Sequence, residues 1–419
     1  MWDPYAEFES ITLQNGITIH VLNLPGRPFE AVGFLINSGS QQDPVGLEGL
    51  AHFTEHLVSY NAGMEKNDID SFFHDCGGIV CLGETSDFYT NYKFFLPIND
   101  RIIVSKAFSI FGDMLISSNI EKNIEIERNV IIEEFNREYP LYFKFDLELK
   151  EQKALYGGYW LERSTSSLGN LDSIKKISQN DLQSFYDNHY TPVNIDIICV
   201  GGMTLSEVKK IILESSFAKN KIGVKTSVQG VVKKFADLLE NFNVIDMSAY
   251  YGKDVLKAAS YCSTANIPGD VSRSSISILD EMLSNILNHE IREKRSLTYD
   301  IYSDWSDFRH FYSFYIKCEA FSPTAVNDME KIVCSCIESI PKRNDLFKQI
   351  KKRAIARSFM VDSTARGICD SAMYNISSFG KIVSLDEDRK NIERVEMSDI
   401  IDLLKWLTPE RRWTVIGRP

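Results

Sequence analysis

The sequence predicts an α+β fold of two related domains, each a mostly antiparallel sheet covered by helices, and three observations carry that prediction. The 419 residues exceed what one hydrophobic core usually organises, which points to two or three domains. Short β-branched and aromatic runs alternate with longer stretches at helical spacing, the pattern of mixed layers. The two halves also end alike, with Ile197-Ile198-Cys199-Val200-Gly201-Gly202 closing the first and Trp413-Thr414-Val415-Ile416-Gly417 closing the second. An ancient duplication fits this repetition better than one large sheet. The expected division is a first domain over 1–215, a linker over 216–235 and a second domain over 236–419. The linker is read from Lys219-Asn220-Lys221 and the weak helical period around it.

Each element has its own signal. Asn15-Gly16 between Ile11-Thr12-Leu13 and Ile17-Thr18-Ile19-His20-Val21 predicts a hairpin, with His20 on its solvated side. A strand over Ala31–Ile36 runs into Ser38-Gly39-Ser40, and the turn-prone Asp43-Pro44-Val45-Gly46 precedes a helix from Glu48 through Tyr60. A helix near Ile69–Cys76 leads through Gly77-Gly78 into Ile79-Val80-Cys81-Leu82, and Thr85–Leu96 reads as one strand. Helical spacing returns over 100–117 and again at Glu127–Phe135, whose apolar side is given by Val130, Ile131 and Phe135. Leu205 to Glu214 is a further helix. In the second half a strand at Ala258–Cys262 precedes a long helix from Val271 to about Arg292. Strands near Thr298–Tyr302 and Phe311–Cys318 and helices from Pro323 to about Ile340 follow.

Composition narrows the function classes. Hydrophobic content of 44% with 25% charged residues is that of a globular protein, and a net charge of −12 argues against nucleic acid or an anionic membrane as partner. Basic peptides remain compatible with it. The start, Met1-Trp2-Asp3-Pro4-Tyr5, has no signal-peptide pattern and no apolar run reaches membrane-spanning length, so a cytoplasmic address is expected. Eight scattered cysteines, with Cys334-Ser335-Cys336 the one close pair, read as buried free thiols.

One motif carries chemistry. His52-Phe53-Thr54-Glu55-His56 places two imidazoles at i and i+4, one turn apart on a single helix face, where one cation can touch both. Two imidazoles suit Zn²⁺, which at a catalytic site takes a third protein ligand and leaves its fourth position to water. Glu55 stands beside them as a candidate general base. The order His-x-x-Glu-His inverts the commoner zincin motif and is the inverzincin signature. A surface helix that happens to carry two histidines is the alternative, and a third ligand would decide between them. Glu127 and Glu134 lie seven residues apart, two turns along nearly the same face, so one can reach the metal while the other stands behind it. Glu133 points elsewhere. His74 and His189 have no motif around them and read as structural or solvated.

With these residues in view the chain resembles the pitrilysin/insulinase family, which includes the mitochondrial processing peptidase and its bacterial relatives. The zinc helix matches at Gly46-Leu47-Glu48-Gly49-Leu50-Ala51 and the His-x-x-Glu-His that follows, and Glu127 through Glu134 matches the segment Glu-Arg-x-Val-x-x-x-Glu. The resemblance implies His52, His56 and Glu134 as zinc ligands, Glu55 as base and Glu127 as outer carboxylate. Thr85-Ser86 and Thr90-Asn91-Tyr92 resemble the strand beside the family's substrate-binding edge, so Leu82, Gly83, Glu84 and Thr85 are implied to hold the substrate backbone. The family often has Asn-Ala before the Thr-Ser, whereas this chain has Leu82-Gly83-Glu84, which removes an Asn side chain from that edge. Arg292-Glu293-Lys294-Arg295-Ser296-Leu297-Thr298-Tyr299 is similar to the segment whose Arg and Tyr assist the substrate carbonyl, a sensible use of a cation and a phenol at a developing oxyanion. Without that resemblance Arg292 is a helix-terminal cation and Tyr299 a strand aromatic.

The expected activity is hydrolysis of peptides or unfolded polypeptides lying along an edge strand of the first domain by β-augmentation. The expected assembly is a homodimer, or a heterodimer with a related subunit, in which the zinc set of one protomer meets Arg292 and Tyr299 of the other. Two further readings stay open: a non-catalytic subunit that binds peptide or a partner, and a structural zinc protein.

Overall fold

The computed structural model describes residues 2–418 apart from 60–63, 65, 99, 141, 157–159, 164–165, 220–222, 224, 227–241, 247–257 and 360–363. The chain forms two compact units. One comprises Met1–Phe145, Arg163–Gln229 and Val361–Ser384, the other Asp146–Glu162, Gly230–Met360 and Leu385–Pro419. Among the described residues no helix is long and apolar enough to cross a membrane.

The first unit is built on a six-stranded sheet in the order β1-β2-β6-β3-β5-β4. Its strands are β1 (Glu9–Thr12), β2 (Thr18–Asn23), β3 (Glu30–Ile36), β4 (Ile79–Thr85), β5 (Thr90–Leu96) and β6 (Ile195–Gly201). The expected Asn-Gly hairpin joins β1 to β2, with Gly16 at φ +102°, where a side chain would be strained. His20 is not solvated as expected. Its ring nitrogens pair with Ser10 Oγ of β1 at 2.7 Å and Asp196 Oδ1 of β6 at 3.2 Å, because β2 lies between these two strands and each brings a polar side chain alongside. All pairings are antiparallel except β2 with β6.

Every residue of β3 is buried, so the strand is covered on both faces, as an uninterrupted apolar run requires. On one face Phe34 stacks on Phe111 of α3 (Arg101–Ser117) at 4.7 Å and on Phe217 at 5.5 Å between ring centres. The other face takes a helix that sequence order assigns to the second domain, Ala365–Phe379. Its Cys369 thiol points at Ile198 O, its Asp370 pairs with Lys93 at 3.1 Å, and Met373 fills the space that a Cβ on Gly33 would need. The start of the expected linker also belongs here, since Ser216–Ala218 form a 3₁₀ turn with Phe217 buried. Residues 220–222, 224 and 227–235 of that linker lie outside the described residues.

The single strand expected over Thr85–Leu96 is two. Ser86 N–H bonds Tyr89 O at 2.8 Å, and this turn, built on Ser86-Asp87, reverses the chain between β4 and β5. Val130 is exposed while Ile131 and Phe135 are buried, so the apolar stripe of its helix is narrower than its composition implied.

The second unit holds a five-stranded sheet in the order β7-β11-β8-β10-β9, with β7 (Phe242–Asp246), β8 (Ala259–Pro268), β9 (Tyr302–Asp307), β10 (Phe311–Phe321) and β11 (Arg412–Arg418). The strand expected near Thr298 begins instead at Tyr302. Ser296 at φ +50° turns the chain, and Thr298 makes only an isolated bridge to Phe321. The expected long helix runs as α-helix over Arg273–Leu287 and continues as a π-helical turn over Asn288–Glu293.

Candidate active site

The His-x-x-Glu-His stretch lies on α1 (Leu50–Ser59), which is buried along almost its whole length. Asp43 starts this helix, because its carboxylate accepts from Gly49 N–H at 2.7 Å and Ala51 N–H at 2.8 Å, satisfying amides that a helix N-terminus leaves open. The loop that follows Asp43 is held by Glu48, which accepts from Gly46 N–H at 2.9 Å and pairs with Arg163 at 3.3 Å. The backbones of Gly49 and Gly169 approach so closely that a Cβ on Gly169 would lie 2.1 Å from Glu48 O.

On the exposed side of α1 the His52 and His56 rings stand edge to face, 4.6 Å between centres. Glu134 reaches them from α4 (Ile124–Glu138), its Oε2 3.7 Å from His52 Nε2 and 3.6 Å from His56 Nε2. One helical face of α4 also delivers Glu127, buried, whose Oε2 lies 2.8 Å from His56 Nδ1. With Nδ1–H donating to Glu127, Nε2 is the His56 ring atom turned towards the Glu134 carboxylate. Glu55 Oε2 lies 4.0 Å from His52 Nε2 and accepts from Thr85 Oγ1 at 3.2 Å.

Electrostatics divide the two imidazoles. Burial, reinforced by the neighbouring His56, holds His52 down at about 4. Burial also opposes charge on His56, but the hydrogen bonds that this ring donates to Glu127 and Glu134 outweigh it and raise the ring to about 9. The Glu134 carboxyl is lowered by its hydrogen bond with His56. Without a cation, then, one proton sits on His56 among three carboxylates.

These residues fit a zinc ion. Zinc–ligand bonds of about 2.0–2.2 Å set tetrahedral ligand atoms about 3.3–3.6 Å apart, close to the separations of Glu134 Oε2 from both Nε2 atoms. His52, Glu55 and His56 also lie within 4.8 Å of one another, so two carboxylates stand near the imidazoles. Glu134 is the better third ligand, because it is nearly equidistant from both rings whereas Glu55 is drawn aside by Thr85.

The cluster opens into a cleft of about 470 Å³, walled by Leu82, Gly83, Glu84 and Thr85 of β4 and by Ser59, Asp70 and Ser167 among others. Leu82 and Thr85 thus lie at the cleft with the rest of the set that the sequence singled out. Asp70 and Ser167 gave no sequence signal, since each sits in a polar run, Asn67-Asp68-Ile69-Asp70-Ser71 and Ser164-Thr165-Ser166-Ser167, with no spacing that sets it apart. Ser59 had one, three and seven residues beyond His56 and His52 on the same helix, and its Oγ lies within hydrogen-bond reach of Leu82 O. Arg292 and Tyr299 belong to the other unit, where the guanidinium lies over the phenol ring at 4.8 Å and Tyr299 is 83% exposed.

Fold and site together define an α+β protein with a candidate catalytic metal centre. More particularly, the chain belongs to the insulinase family, peptidase family M16: the profile of that family matches residues 19–142 and that of the peptidase M16 inactive domain matches 176–354. It is 24% identical over 410 residues to an uncharacterized zinc protease of Streptomyces coelicolor, covering 93% of this chain and 84% of that protein. The beta subunit of the mitochondrial-processing peptidase of Caenorhabditis elegans is 24% identical over 292 residues, and the match spans 69% of this chain and 61% of the subunit. In fold the chain resembles a protease from Helicobacter pylori, with a TM-score of 0.79, 18% identity and all of both chains covered. It also resembles the periplasmic protease PqqL from Escherichia coli, with a TM-score of 0.78 and 16% identity, covering 98% of this chain and 47% of that one.

Proposed function

We propose that the protein is a zinc-dependent endopeptidase acting on peptides or unfolded polypeptides, with His52, His56 and Glu134 holding the metal. The observation that carries this reading is the placement of Glu134 Oε2 at 3.7 and 3.6 Å from the two Nε2 atoms, with Glu55 beside them but held off by Thr85. When bound, zinc supplies a Lewis acid for the scissile carbonyl and for the attacking water. Glu55 takes the proton of that water and hands it to the leaving amine. Glu127 fixes the His56 tautomer, and β4, the terminal strand of its sheet, offers backbone groups to an extended peptide through Leu82–Thr85. Arg292 and Tyr299 donate to the developing oxyanion, supplied in a homodimer or by a related partner subunit.

Leu82-Gly83-Glu84 at the cleft wall, where the family often has Asn-Ala, favours a second reading, in which the chain binds peptide as a partner-dependent subunit. The test is cleavage of a mixed library of quenched peptides by the protein as isolated, after chelation, after return of zinc and as Glu55→Gln, with metal quantified throughout. Activity lost on chelation, restored by zinc and at least about 100-fold lower in zinc-loaded Glu55→Gln is expected. A folded, zinc-loaded wild type that cleaves nothing would favour the subunit reading.

A further inference from the structure

The edge strand beside the metal cluster is irregular at one point. Its register with β5 breaks between Cys81 and Glu84, and Gly83 in this bulge has φ +153°, a conformation that favours glycine. The bulge abuts Glu55. A Cβ built on Gly83 would lie 2.0 Å from Glu55 Oε1, 2.5 Å from its Cδ and 2.6 Å from its Cγ. The carboxylate therefore occupies the volume that any side chain at position 83 would fill. Two residues on either side complete the seat: Thr85 Oγ1 donates to Glu55 Oε2 at 3.2 Å, and Ser59 Oγ lies near both Glu55 O and Leu82 O, tying α1 to the bulge.

The chemistry makes this seat consequential. A glutamate one residue from a histidine ligand, with an oxygen 4.0 Å from the other histidine, is near enough to bind the metal itself. A carboxylate bound to the metal no longer has that oxygen's lone pairs for a proton. Whether Glu55 serves as a base or as an additional ligand thus depends on what holds it aside. We infer that Gly83 and Thr85 are positioning residues for Glu55: the Cβ-less bulge gives its carboxylate room, the threonine hydroxyl anchors it there, and together they withhold it from the metal's ligand set. This rests on the endopeptidase reading for its consequence, and on the geometry of β4 and α1 for its cause.

The experiment uses the full chain loaded with cobalt(II) in place of zinc, whose visible d–d bands report the number and kind of ligands. In the wild type, Glu55→Gln should leave those bands unchanged, since Glu55 is outside the ligand set. Gly83→Ala, whose new Cβ drives the carboxylate towards the imidazoles, should change them, and adding Glu55→Gln to Gly83→Ala should change them again. In the zinc form, Gly83→Ala should lower kcat by about 10–100-fold with KM within about twofold. Thr85→Val should lower kcat in the same direction, and Thr85→Ser, which keeps the hydroxyl, should recover most of that loss.

Wild-type cobalt bands and wild-type kcat in Gly83→Ala would overturn the inference, as would equal kcat in Thr85→Val and Thr85→Ser. Should Gly83→Ala fail to fold, the Thr85 pair decides by the same readings. A wild type that cleaves no peptide while its cobalt bands respond as described would sink the endopeptidase reading and leave the seat standing. A wild type that cleaves while the variants match it would sink the seat alone.

Discussion

Glu127 shows how much of the candidate metal centre depends on a residue that would not itself touch the metal. Its carboxylate is buried, its Oε2 is 2.8 Å from His56 Nδ1, and among the described residues its Oε1 has no hydrogen-bond partner. Replacing it with glutamine keeps the size but removes the charge that favours a donating Nδ1–H. Outer carboxylates of this kind are typically worth about 10–100-fold in metal affinity, and a loss of that order is expected for Glu127→Gln in a chelator competition assay. An unchanged affinity would mean that the orientation of His56 is set by α1 alone. Zinc binding must also displace the proton that His56 carries in the metal-free site, so affinity should fall as pH drops. At this scale the sequence was informative wherever spacing encodes chemistry. The i, i+4 histidines and the seven-residue carboxylate pair meet in space as a helix period requires. It was silent on Asp70 and Ser167, whose place at the cleft follows from chain reversals that leave no periodic trace.

The elements that carry these residues are fixed by close backbone approaches rather than by propensity. Gly169 has φ +75°, and a Cβ there would meet Glu48 O at 2.1 Å and Gly49 N at 2.5 Å, in the loop that launches α1. Gly169→Ala must therefore displace main chain and strain its own backbone. A loss of about 1–3 kcal/mol in urea unfolding is expected, together with weaker zinc binding because the entry to α1 moves. A stable variant with reduced zinc affinity would place the effect in the loop alone. Asp280 in the second unit offers a pH-dependent counterpart. Burial pushes its carboxyl up to about 7, with Ser303 Oγ donating to it at 2.6 Å. Between about pH 4 and about pH 7 the folded chain keeps a proton there that the unfolded chain releases, so stability falls as pH rises through this window, by at most about 1.4 kcal/mol per unit. In Asp280→Asn that loss should be smaller by about 1–2 kcal/mol between about pH 5 and about pH 8, as read from urea unfolding at the two values. Element boundaries in general followed local signals: Asp43 before α1, Asn15-Gly16 in the first hairpin. The helix Ala365–Phe379 did not, because its partner β3 lies more than 300 positions earlier and only the unbroken burial of Ala31–Ile36 hinted that a second layer was needed.

Across the whole molecule the two sheets repeat one topology. In chain order β2, β3, β4, β5 and β6 take the same places as β7, β8, β9, β10 and β11, with β2–β6 and β7–β11 the parallel pairs. In both, a helix follows the second strand and faces the edge strand. In the first unit that helix presents His52, Glu55, His56 and Ser59; in the second it presents Asp280, Ser284 and Asn288. These three spend their polar groups on Ser303, on Ser303 O at 3.2 Å and on Ile301 O at 2.9 Å. The same position thus carries the candidate metal centre in one unit and a helix-to-strand clamp in the other. What the second copy offers instead is Arg292, on a π-helical turn, stacked over the exposed Tyr299, and among the described residues neither side chain has a hydrogen bond or ion pair. An exposed cation and phenol held together in this way cost little to redirect towards a ligand. If they complete a site on another protomer, a His52→Ala protein and an Arg292→Ala protein are each inactive alone. A mixture that has exchanged subunits regains one working site per heterodimer, which is about a quarter of wild-type activity per chain at full statistical exchange, and peptide cleavage checks this once exchange is verified by differential tagging. Persistent inactivity of an exchanged mixture would assign both sets of residues to one chain, or Arg292 to a different partner.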